Sequence, residues 1–328
     1  MAEKSKPTLL YYDILKFQGK TLSFINQHFH VIALSNPDEK VESCADKVQA
    51  LFAPMEYLFD KKMMDHFKDL KVIGTPTTGL VHIDVDHAKK KDIRICSLNN
   101  KPKFLATITP TAELAWGLII VTTRKILHAF DSVCGGKWDG KYFGKQTPRM
   151  LSSMSLGIIG LGRLGSWVAR YAKAFRMKVF YYDPYVEDIQ YRRCKSLQEL
   201  AKVSDVLSVH VHLNDETRHM VDRKFIHTMP KGSFIINTAR GGIVDEGALL
   251  EALKNGHLAG AGLDMLEGEH LPGFREGLND HPLINHARTH DNLILTPKIG
   301  GCTVDAWEIT EIHVVESMVR ELEKRGLM

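Results

Sequence analysis

The sequence contains few cysteines and no pattern that would pair them. The five are scattered over 328 residues, are odd in number and show no C-x-x-C spacing: Cys44, Cys96, Cys134, Cys194 and Cys302. This distribution argues against a disulfide framework and against a zinc site. We therefore expect neither structural disulfides nor a bound metal.

Long apolar runs and blocks of one charge are lacking as well. No apolar run approaches the roughly 20 residues that cross a bilayer, and the N-terminus, Met-Ala-Glu-Lys-Ser-Lys-Pro, has no signal core. The 43 basic residues are interspersed with 39 acidic ones, which leaves no electrostatic footprint for nucleic acid. These absences predict a cytoplasmic protein with neither a membrane nor a nucleic-acid partner.

Short apolar runs do recur, and they alternate with amphipathic stretches, as in parallel sheets with crossover helices. The predicted strands of a first series are Leu9–Tyr12, His30–Leu34, Val48–Ala53, Lys71–Gly74 and Arg94–Ser97. Those of a second series are Ser155–Ile159, Lys178–Tyr182, Asp205–His210, Gly232–Asn237, Leu258–Leu263 and Asn292–Thr296. We predict an α/β protein of two domains, each built on a doubly wound parallel sheet.

The segment between the two series is predicted to be helical. Thr109 suits an N-cap and Pro110 the first helical position, and the apolar residues continue to about Ala129. The glycine- and lysine-rich stretch Cys134–Ser153 then indicates a loop. An amphipathic helix is expected from about Ala306 to Lys324.

A glycine motif follows the first strand of the second series and opens an amphipathic helix. It reads Gly160-Leu161-Gly162-Arg163-Leu164-Gly165. In this context Gly160 allows a tight turn, Gly162 allows backbone N–H groups to approach a pyrophosphate, and Gly165 allows close packing of helix on strand. The motif therefore predicts a dinucleotide site, with Arg163 adding a cation beside the phosphates.

Asp183 ends the next predicted strand and favours NAD over NADP. A carboxylate there can accept hydrogen bonds from the ribose hydroxyls and would repel a 2′-phosphate. The alternative is that Asp183 only begins the Asp183-Pro184 turn.

Other polar residues follow the strands of this sheet, where ligands gather in doubly wound folds. They are His210, Thr238-Ala239-Arg240, Asp264 and Thr296-Pro297-Lys298. The Arg240 guanidinium can bind a carboxylate through two parallel hydrogen bonds. The alternative for Arg240 is a structural ion pair.

These residues resemble those of the D-isomer-specific 2-hydroxyacid dehydrogenase family. That family includes 3-phosphoglycerate dehydrogenase, glyoxylate/hydroxypyruvate reductases and the C-terminal-binding-protein corepressors. The resemblance covers nearly the whole chain and is most specific in the run from Met229 to Glu246, which contains Asn-Thr-Ala-Arg-Gly-Gly. Supporting stretches are Gly157–Gly165, Ser204–Thr217, Ala259–Glu269 and Leu295–Gly301.

The resemblance implies that an NAD-binding Rossmann-like domain, residues 106–296, is inserted into a flavodoxin-like substrate domain, residues 1–105 and 297–328, with the active site in the cleft between them. It implies that Arg240 binds the substrate carboxylate and 2-oxo group, that Glu269 is the partner of the acid/base, and that the Thr78-Gly79 backbone cradles the carboxylate. A homodimer is implied as well. The residues expected to contact NAD are Gly160, Gly162, Arg163, Leu164, Gly165, Asp183, His210, Thr217, Thr238, Ala239, Arg240 and Asp264.

One departure concerns the acid/base itself. The family has a histidine in Thr-Pro-His-Ile-Gly-Gly, whereas this chain has Lys298 in Thr296-Pro297-Lys298-Ile299-Gly300-Gly301. Three interpretations are open: Lys298 is the proton donor beside Glu269, another residue such as His286 or His290 replaces it, or catalysis is weakened or lost. An ordinary lysine is charged near pH 7, so it can protonate a forming alkoxide but is a poor base.

We therefore expect an NAD(H)-dependent oxidoreductase that interconverts a small 2-oxo acid and its D-2-hydroxy acid, biased to reduction. The main alternative is an NAD(H)-sensing, corepressor-like binding protein with little or no catalysis. A third possibility is the same scaffold acting on another small oxyanion, such as a phosphonate. The stretch from Glu269 to Asp291 is longer than is usual in the family and can shape the rim of the site. It holds His281, His286 and His290, whose irregular spacing argues against a metal site.

Overall fold

The chain forms two compact units, one inserted into the other. The computed structural model describes residues 6–39, 41–42, 44–55, 57–138, 140, 148–269, 271 and 273–328. The first unit comprises residues 1–108 and 302–328, and the second comprises residues 109–301. These boundaries lie a few residues after those expected from the sequence, so Lys298 belongs to the second unit. The reason is local, because the backbone around Lys298 is hydrogen-bonded to Asp264 of that unit.

The first unit is built on five parallel strands in the order β2-β1-β3-β4-β5. The strands are β1 (Thr8–Tyr12), β2 (His30–Leu34), β3 (Ala50–Phe52), β4 (Val72–Gly74) and β5 (Arg94–Cys96). The helices are α1 (Gly19–His28), α2 (Lys61–Asp65), α3 (Val85–Lys90), α4 (Pro102–Leu105) and the C-terminal α12 (Val304–Lys324). The C-terminal segment thus returns to the sheet with which the chain begins.

Alternate residues of these strands enter two separate apolar clusters, one on each face of the sheet. Leu10, Leu51 and Ile73 lie in one cluster, whereas the neighbouring residues of the same strands lie in the other. Helix α12 completes the second cluster with Val314 and Met318, both fully buried. Because side chains alternate across a strand, a sheet covered on both faces needs apolar residues at every position, as the short runs in the sequence indicate.

The second unit is built on seven parallel strands in the order β12-β11-β10-β9-β6-β7-β8. The strands are β6 (Ser155–Ile159), β7 (Lys178–Tyr182), β8 (Arg192–Arg193), β9 (Val206–Val209), β10 (Ser233–Asn237), β11 (Leu258–Leu263) and β12 (Leu293–Leu295). The helices are α5 (Pro110–Thr123), α6 (Ile126–Cys134), α7 (Arg163–Ala174), α8 (Leu197–Val203), α9 (Arg223–Thr228), α10 (Glu246–Lys254) and α11 (Pro282–Ala287). The strand order reverses between β6 and β9, which is where doubly wound sheets bind ligands.

The predicted strands are confirmed, four of them to the residue and the others within two residues at either end. The two-residue strand β8 at the sheet edge was not predicted. It consists of two exposed arginines and carries no apolar signal.

The single helix predicted from Thr109 to about Ala129 is wrong. The chain forms α5 and α6, separated at Lys125, whose backbone is left-handed with φ of 51°. Thr109 does not cap α5, because its hydroxyl donates to the Glu113 carboxylate at 2.5 Å instead. Of the predicted loop Cys134–Ser153, Cys134 ends α6 and Leu151–Ser153 forms a 3-10 turn, while residue 139 and residues 141–147 lie outside the described residues.

One helical segment, Pro102–Thr123, is long and apolar enough by composition to cross a membrane, with a mean hydropathy of 1.6. This differs from the expectation that no run approaches that length. The segment is interrupted between α4 and α5, and seven of the 14 residues of α5 are buried. Within the second unit α5 packs against β10, β11 and β12, which accounts for its apolar composition.

We predict that Met318→Ala lowers the free energy of unfolding of the first unit by about 2–5 kcal/mol, because it leaves a cavity between α12 and β4. Urea denaturation followed by circular dichroism measures the loss, and peptide-resolved hydrogen exchange locates it in residues 50–74. Glu323→Ala, an exposed position on the same helix, is the matched control and should change stability by less than about 0.5 kcal/mol. Equal effects from the two variants would contradict this placement of α12.

Candidate active site

The glycine motif forms a tight turn at the point where the strand order reverses. Gly160 has φ of 86°, and a Cβ atom there would lie 2.8 Å from the carbonyl oxygen of His210. At Gly165 a Cβ atom would lie 2.1 Å from the carbonyl oxygen of Gly160. Both positions therefore require glycine, the first for its backbone conformation and the second for the approach of α7 to β6.

Gly162 differs from the other two because nothing lies within 4 Å of its ideal Cβ position. It precedes α7, which begins at Arg163, so the first N–H groups of the helix are directed toward this open space. Arg163 is half-buried, and burial lowers the pKa of its guanidinium. A helix N-terminus with open space and a cation beside it suits a pyrophosphate, and this geometry fits the dinucleotide that the motif predicts.

Asp183 is buried at the end of β7 and is bonded to the glycine turn. Its Oδ2 accepts the N–H of Leu161 at 2.8 Å, and its Oδ1 accepts the N–H groups of Tyr185 and Val186 at 2.8 and 3.0 Å. The carboxylate therefore forms the turn after β7, as the alternative interpretation held, and it also lies beside the glycine motif. Its contact with a ribose remains a prediction.

His210 follows β9 on the other side of the glycine turn. Its Nε2 lies 2.8 Å from the Ser208 hydroxyl, and burial lowers the pKa of the imidazole to about 4. The ring is therefore neutral at physiological pH. Thr217 closes the loop that follows, with its hydroxyl donating to the carbonyl oxygen of His212 at 2.6 Å.

Thr238, Ala239 and Arg240 follow β10 without a break. Thr238 is buried, and its hydroxyl has no hydrogen-bond partner within the described part of the chain. The Arg240 side chain is exposed, and its Nη1 donates to the carbonyl oxygen of Ala239 at 2.6 Å. Among the described residues Arg240 forms no ion pair, so the alternative of a structural ion pair receives no support.

Asp264, at the end of β11, holds the turn that carries Lys298. Its Oδ1 accepts the Thr296 hydroxyl at 2.5 Å and the N–H of Ile299 at 2.9 Å, and its Oδ2 accepts the N–H of Gly300 at 2.8 Å. The N–H of Lys298 donates to the Asp264 carbonyl oxygen at 3.0 Å. The sequence analysis expected Asp264 to contact NAD and missed this structural role, which local spacing does not reveal because 32 residues separate Asp264 from Thr296.

The structure brings Lys298 and Glu269 together. The Lys298 ammonium lies 3.5 Å from Glu269 Oε1, and the Glu269 side chain is only 14% exposed. The backbone of Lys298 is left-handed, with φ of 57°, a conformation that is unfavourable for a residue with a Cβ atom. The turn held by Asp264 imposes it, as is common at functional sites.

Two histidines that the sequence offered as alternatives are engaged within their own segment. His286 Nε2 lies 2.8 Å from Asn292 Oδ1, and the His290 ring stacks on His286 with centroids 4.0 Å apart. The third histidine of this stretch, His281, was not offered as an acid/base, and its Nε2 lies 3.5 Å from Glu246 Oε2. Within the described residues no group of three or more potential ligands is arranged to hold a metal ion.

In the first unit, Thr78 and Gly79 lie in the exposed loop after β4. The Thr77 hydroxyl donates to the Gly79 carbonyl oxygen at 2.7 Å. Behind this loop, buried His82 lies 3.1 Å from the Thr75 hydroxyl. These bonds shape the loop, and no Cβ contact obstructs Gly79; its binding of a carboxylate remains a prediction.

We predict that Gly162→Ala preserves the fold but weakens NADH binding at least about tenfold. The new methyl group meets no protein atom within 4 Å, yet it enters the space that the phosphates need. Fluorescence titration measures the affinity, and thermal unfolding verifies the fold. Gly277→Ala, also without a neighbour within 4 Å, is the control; unchanged NADH affinity in Gly162→Ala would refute the placement of the pyrophosphate.

Comparisons with known proteins agree with this geometry. The family model for the D-isomer specific 2-hydroxyacid dehydrogenase NAD binding domain matches residues 116–300. A hydroxypyruvate reductase of Thermotoga maritima is 38% identical over 260 residues, 78% of each chain. A D-3-phosphoglycerate dehydrogenase of Methanocaldococcus jannaschii is 37% identical over 80% of this chain, but the match spans only 47% of that longer protein.

Solved structures with a similar fold match nearly the whole length of the chain. The TT0316 protein of Thermus thermophilus has a TM-score of 0.80 and 30% identity, with 97% of each chain covered. A D-lactate dehydrogenase of Aquifex aeolicus, solved with NAD and lactic acid, has a TM-score of 0.74 and 29% identity, with 97% of this chain and 98% of that chain covered. The matched domain, the glycine turn and the strand-end residues together establish that this chain belongs to the D-isomer-specific 2-hydroxyacid dehydrogenase family.

Proposed function

We propose that this protein reduces a small 2-oxo acid to the corresponding D-2-hydroxy acid with NADH. The observation that supports this most directly is the Lys298–Glu269 pair, at 3.5 Å, in a unit that has the NAD-binding domain of the family. A dinucleotide site alone would serve many reactions. A cation held beside a shielded carboxylate at the strand ends adds the proton donor that reduction needs.

The direction of the proposal follows from the chemistry of the ammonium group. Lysine is positively charged at neutral pH, so Lys298 can give a proton to the alkoxide that forms when the 2-oxo carbon accepts a hydride. Glu269 stabilises the charged ammonium and orients it. Because a charged ammonium cannot remove a proton from an alcohol, the reverse oxidation is expected to be slow near pH 7.

Arg240 completes the proposed site. It presents five N–H donors and, among the described residues, no carboxylate occupies them. It would bind the substrate carboxylate and stabilise the negative charge that develops on the 2-oxo oxygen. Bound NADH would supply the hydride, and we assign the backbone of Thr78 and Gly79 to the substrate carboxylate.

A binding protein of the corepressor type is the second candidate, and the observation that favours it is Lys298 in place of the family's histidine. Such a protein would bind NADH at the glycine turn without turnover. Steady-state oxidation of NADH with glyoxylate, hydroxypyruvate, pyruvate and 3-phosphohydroxypyruvate separates the two functions. NADH binding with none of these acids reduced would favour the second.

We also propose that the protein acts as a cytoplasmic homodimer formed through the second unit. Helix α6 contains no buried residue, although Ile126, Leu127, Phe130 and Val133 are apolar and between 43% and 63% exposed. Apolar groups of this size on one short helix indicate an interaction surface. A second copy of the chain, related by a two-fold axis, would cover them.

We predict that Lys298→Ala lowers kcat for 2-oxo acid reduction by about 100-fold or more while NADH affinity stays within about threefold, because only the proton donor is lost. Lys298→His should restore much of the activity, with a decline above about pH 6.5 as the imidazole loses its proton. Stopped-flow and steady-state absorbance at 340 nm measure both. Lys202→Ala, an exposed lysine on α8, is the control, and undiminished kcat in Lys298→Ala would rule out the proposed donor.

A separate prediction concerns assembly. The double variant Phe130→Asp/Val133→Asp should sediment as a monomer at micromolar concentration, whereas the wild type sediments at twice the mass of one chain, since two buried carboxylates would oppose the contact. Asp131→Asn, a polar position of the same helix, should leave the dimer intact. A wild type that sediments as a monomer would contradict the proposal that α6 forms a dimer interface.

A further inference from the structure

Glu246 is a charged residue that the proposed mechanism does not use, and its side chain is largely shielded from water. It begins α10, four residues after Gly242 in the glycine pair that follows Arg240. Its side chain is 17% exposed. Its Oε1 accepts the backbone N–H of Glu267 at 2.7 Å. A carboxylate so placed bonds α10 directly to the loop that follows β11.

That loop carries Glu269, two residues beyond the bonded amide. Two contacts within this turn are long, at 3.4 Å from the Glu269 N–H to the Leu266 carbonyl oxygen and from the Leu266 N–H to Glu269 Oε2. The bond from the Glu267 N–H to Glu246 is shorter, at 2.7 Å, and it joins the turn to α10. The same segment lies against the arginine loop, since a Cβ atom on Gly241 would be 2.1 Å from the Glu267 nitrogen.

Charged and titratable groups face Glu246 from three neighbouring segments. Glu267 and Glu269 lie in the loop after β11, and the Glu267 carboxylate is bonded to Arg218 Nη1 at 3.0 Å and to His219 Nε2 at 2.8 Å. His281, which precedes α11, places its Nε2 3.5 Å from Glu246 Oε2. Two further carboxylates and two imidazoles thus share this region with Glu246.

We propose that Glu246 is a positioning residue for the reaction: it fixes the Glu267–Glu269 turn against the arginine loop, and the gain or loss of its proton, with His281 as neighbour, tightens or loosens that turn. This inference rests on the proposed function, because Glu269 is taken as the partner of Lys298. Glu246 acts through the backbone and touches neither substrate nor cofactor.

The titration falls in the physiological range. Burial raises the pKa of Glu246 to about 7; the charges of Glu267 and Glu269 act in the same direction, whereas the Glu267 N–H and the nearby His219 oppose the shift. Above that pH the carboxylate is ionised and accepts the N–H as a charge-assisted hydrogen bond. Below it the acid is neutral, the bond weakens, and the rate should fall as the pH drops from about 8 to 6.

Two substitutions test the proposal with kinetics. Glu246→Gln keeps an oxygen that can accept the Glu267 N–H but cannot ionise, so it imitates the protonated acid. Its kcat at pH 8 should fall to the level that the wild type shows at pH 6, and the change in rate near pH 7 should disappear. Glu246→Ala removes the acceptor and should lower kcat about tenfold or more with KM within about twofold, since Glu269 is misplaced. Glu251→Gln, on the exposed side of the same helix, should leave kcat, KM and the pH profile unchanged.

Hydrogen exchange of the peptide covering residues 264–269 tests the same proposal without turnover. After correction for intrinsic rates, this peptide should exchange more slowly at pH 8 than at pH 6 in the wild type, at equal rates in Glu246→Gln, and several-fold faster in Glu246→Ala. Exchange in Glu246→Ala equal to that of the wild type would overturn the proposal, whatever the activity. A wild type that reduces no 2-oxo acid yet shows the exchange pattern would instead count against the proposed function alone.

Discussion

The Asp264 carboxylate, buried at the end of β11, is the group on which the arrangement of the site depends. A buried charge is costly unless it is bonded, and here its partners are the hydroxyl of Thr296 and the amides of Ile299 and Gly300. The charge and the turn therefore stabilise each other. Gly300 is needed for this contact, because a Cβ atom there would lie 2.9 Å from Asp264 Oδ2.

Parallel topology then explains why distant residues converge. Asn237 and Leu263 are partners in the register of β10 and β11, so Arg240 and Asp264 emerge at the same edge of the sheet. The glycine turn after β6 and His210 after β9 emerge there as well, across the point where strand order reverses. Segments that span more than a hundred residues of the sequence therefore meet at one edge of the sheet. They place there the glycine turn, which suits an anion, and the Lys298 ammonium beside the Glu269 carboxylate.

Much of this was predictable from the sequence. The strands are apolar runs bounded by polar residues, and reading their carboxyl ends locates Arg240, Asp264 and Lys298. The break at Lys125 was not predictable, because the apolar pattern continues through it and only the left-handed backbone reveals it. The bond from Glu246 to Glu267 was missed for a different reason: it joins a side chain to a backbone amide 21 residues away, and no spacing rule describes such a contact.

The left-handed backbone of Lys298 is set by bonds from its own amide and from its neighbours, none of which involves its side chain. The backbone of the turn therefore does not depend on the side chain at position 298, and different side chains can occupy this position without a change of fold. Under the proposed function, exchange of imidazole for ammonium at this position would change the proton donor and leave the backbone of the turn intact. In such a scaffold, the substitution of one residue can therefore alter which direction of the reaction is favoured before the fold itself changes.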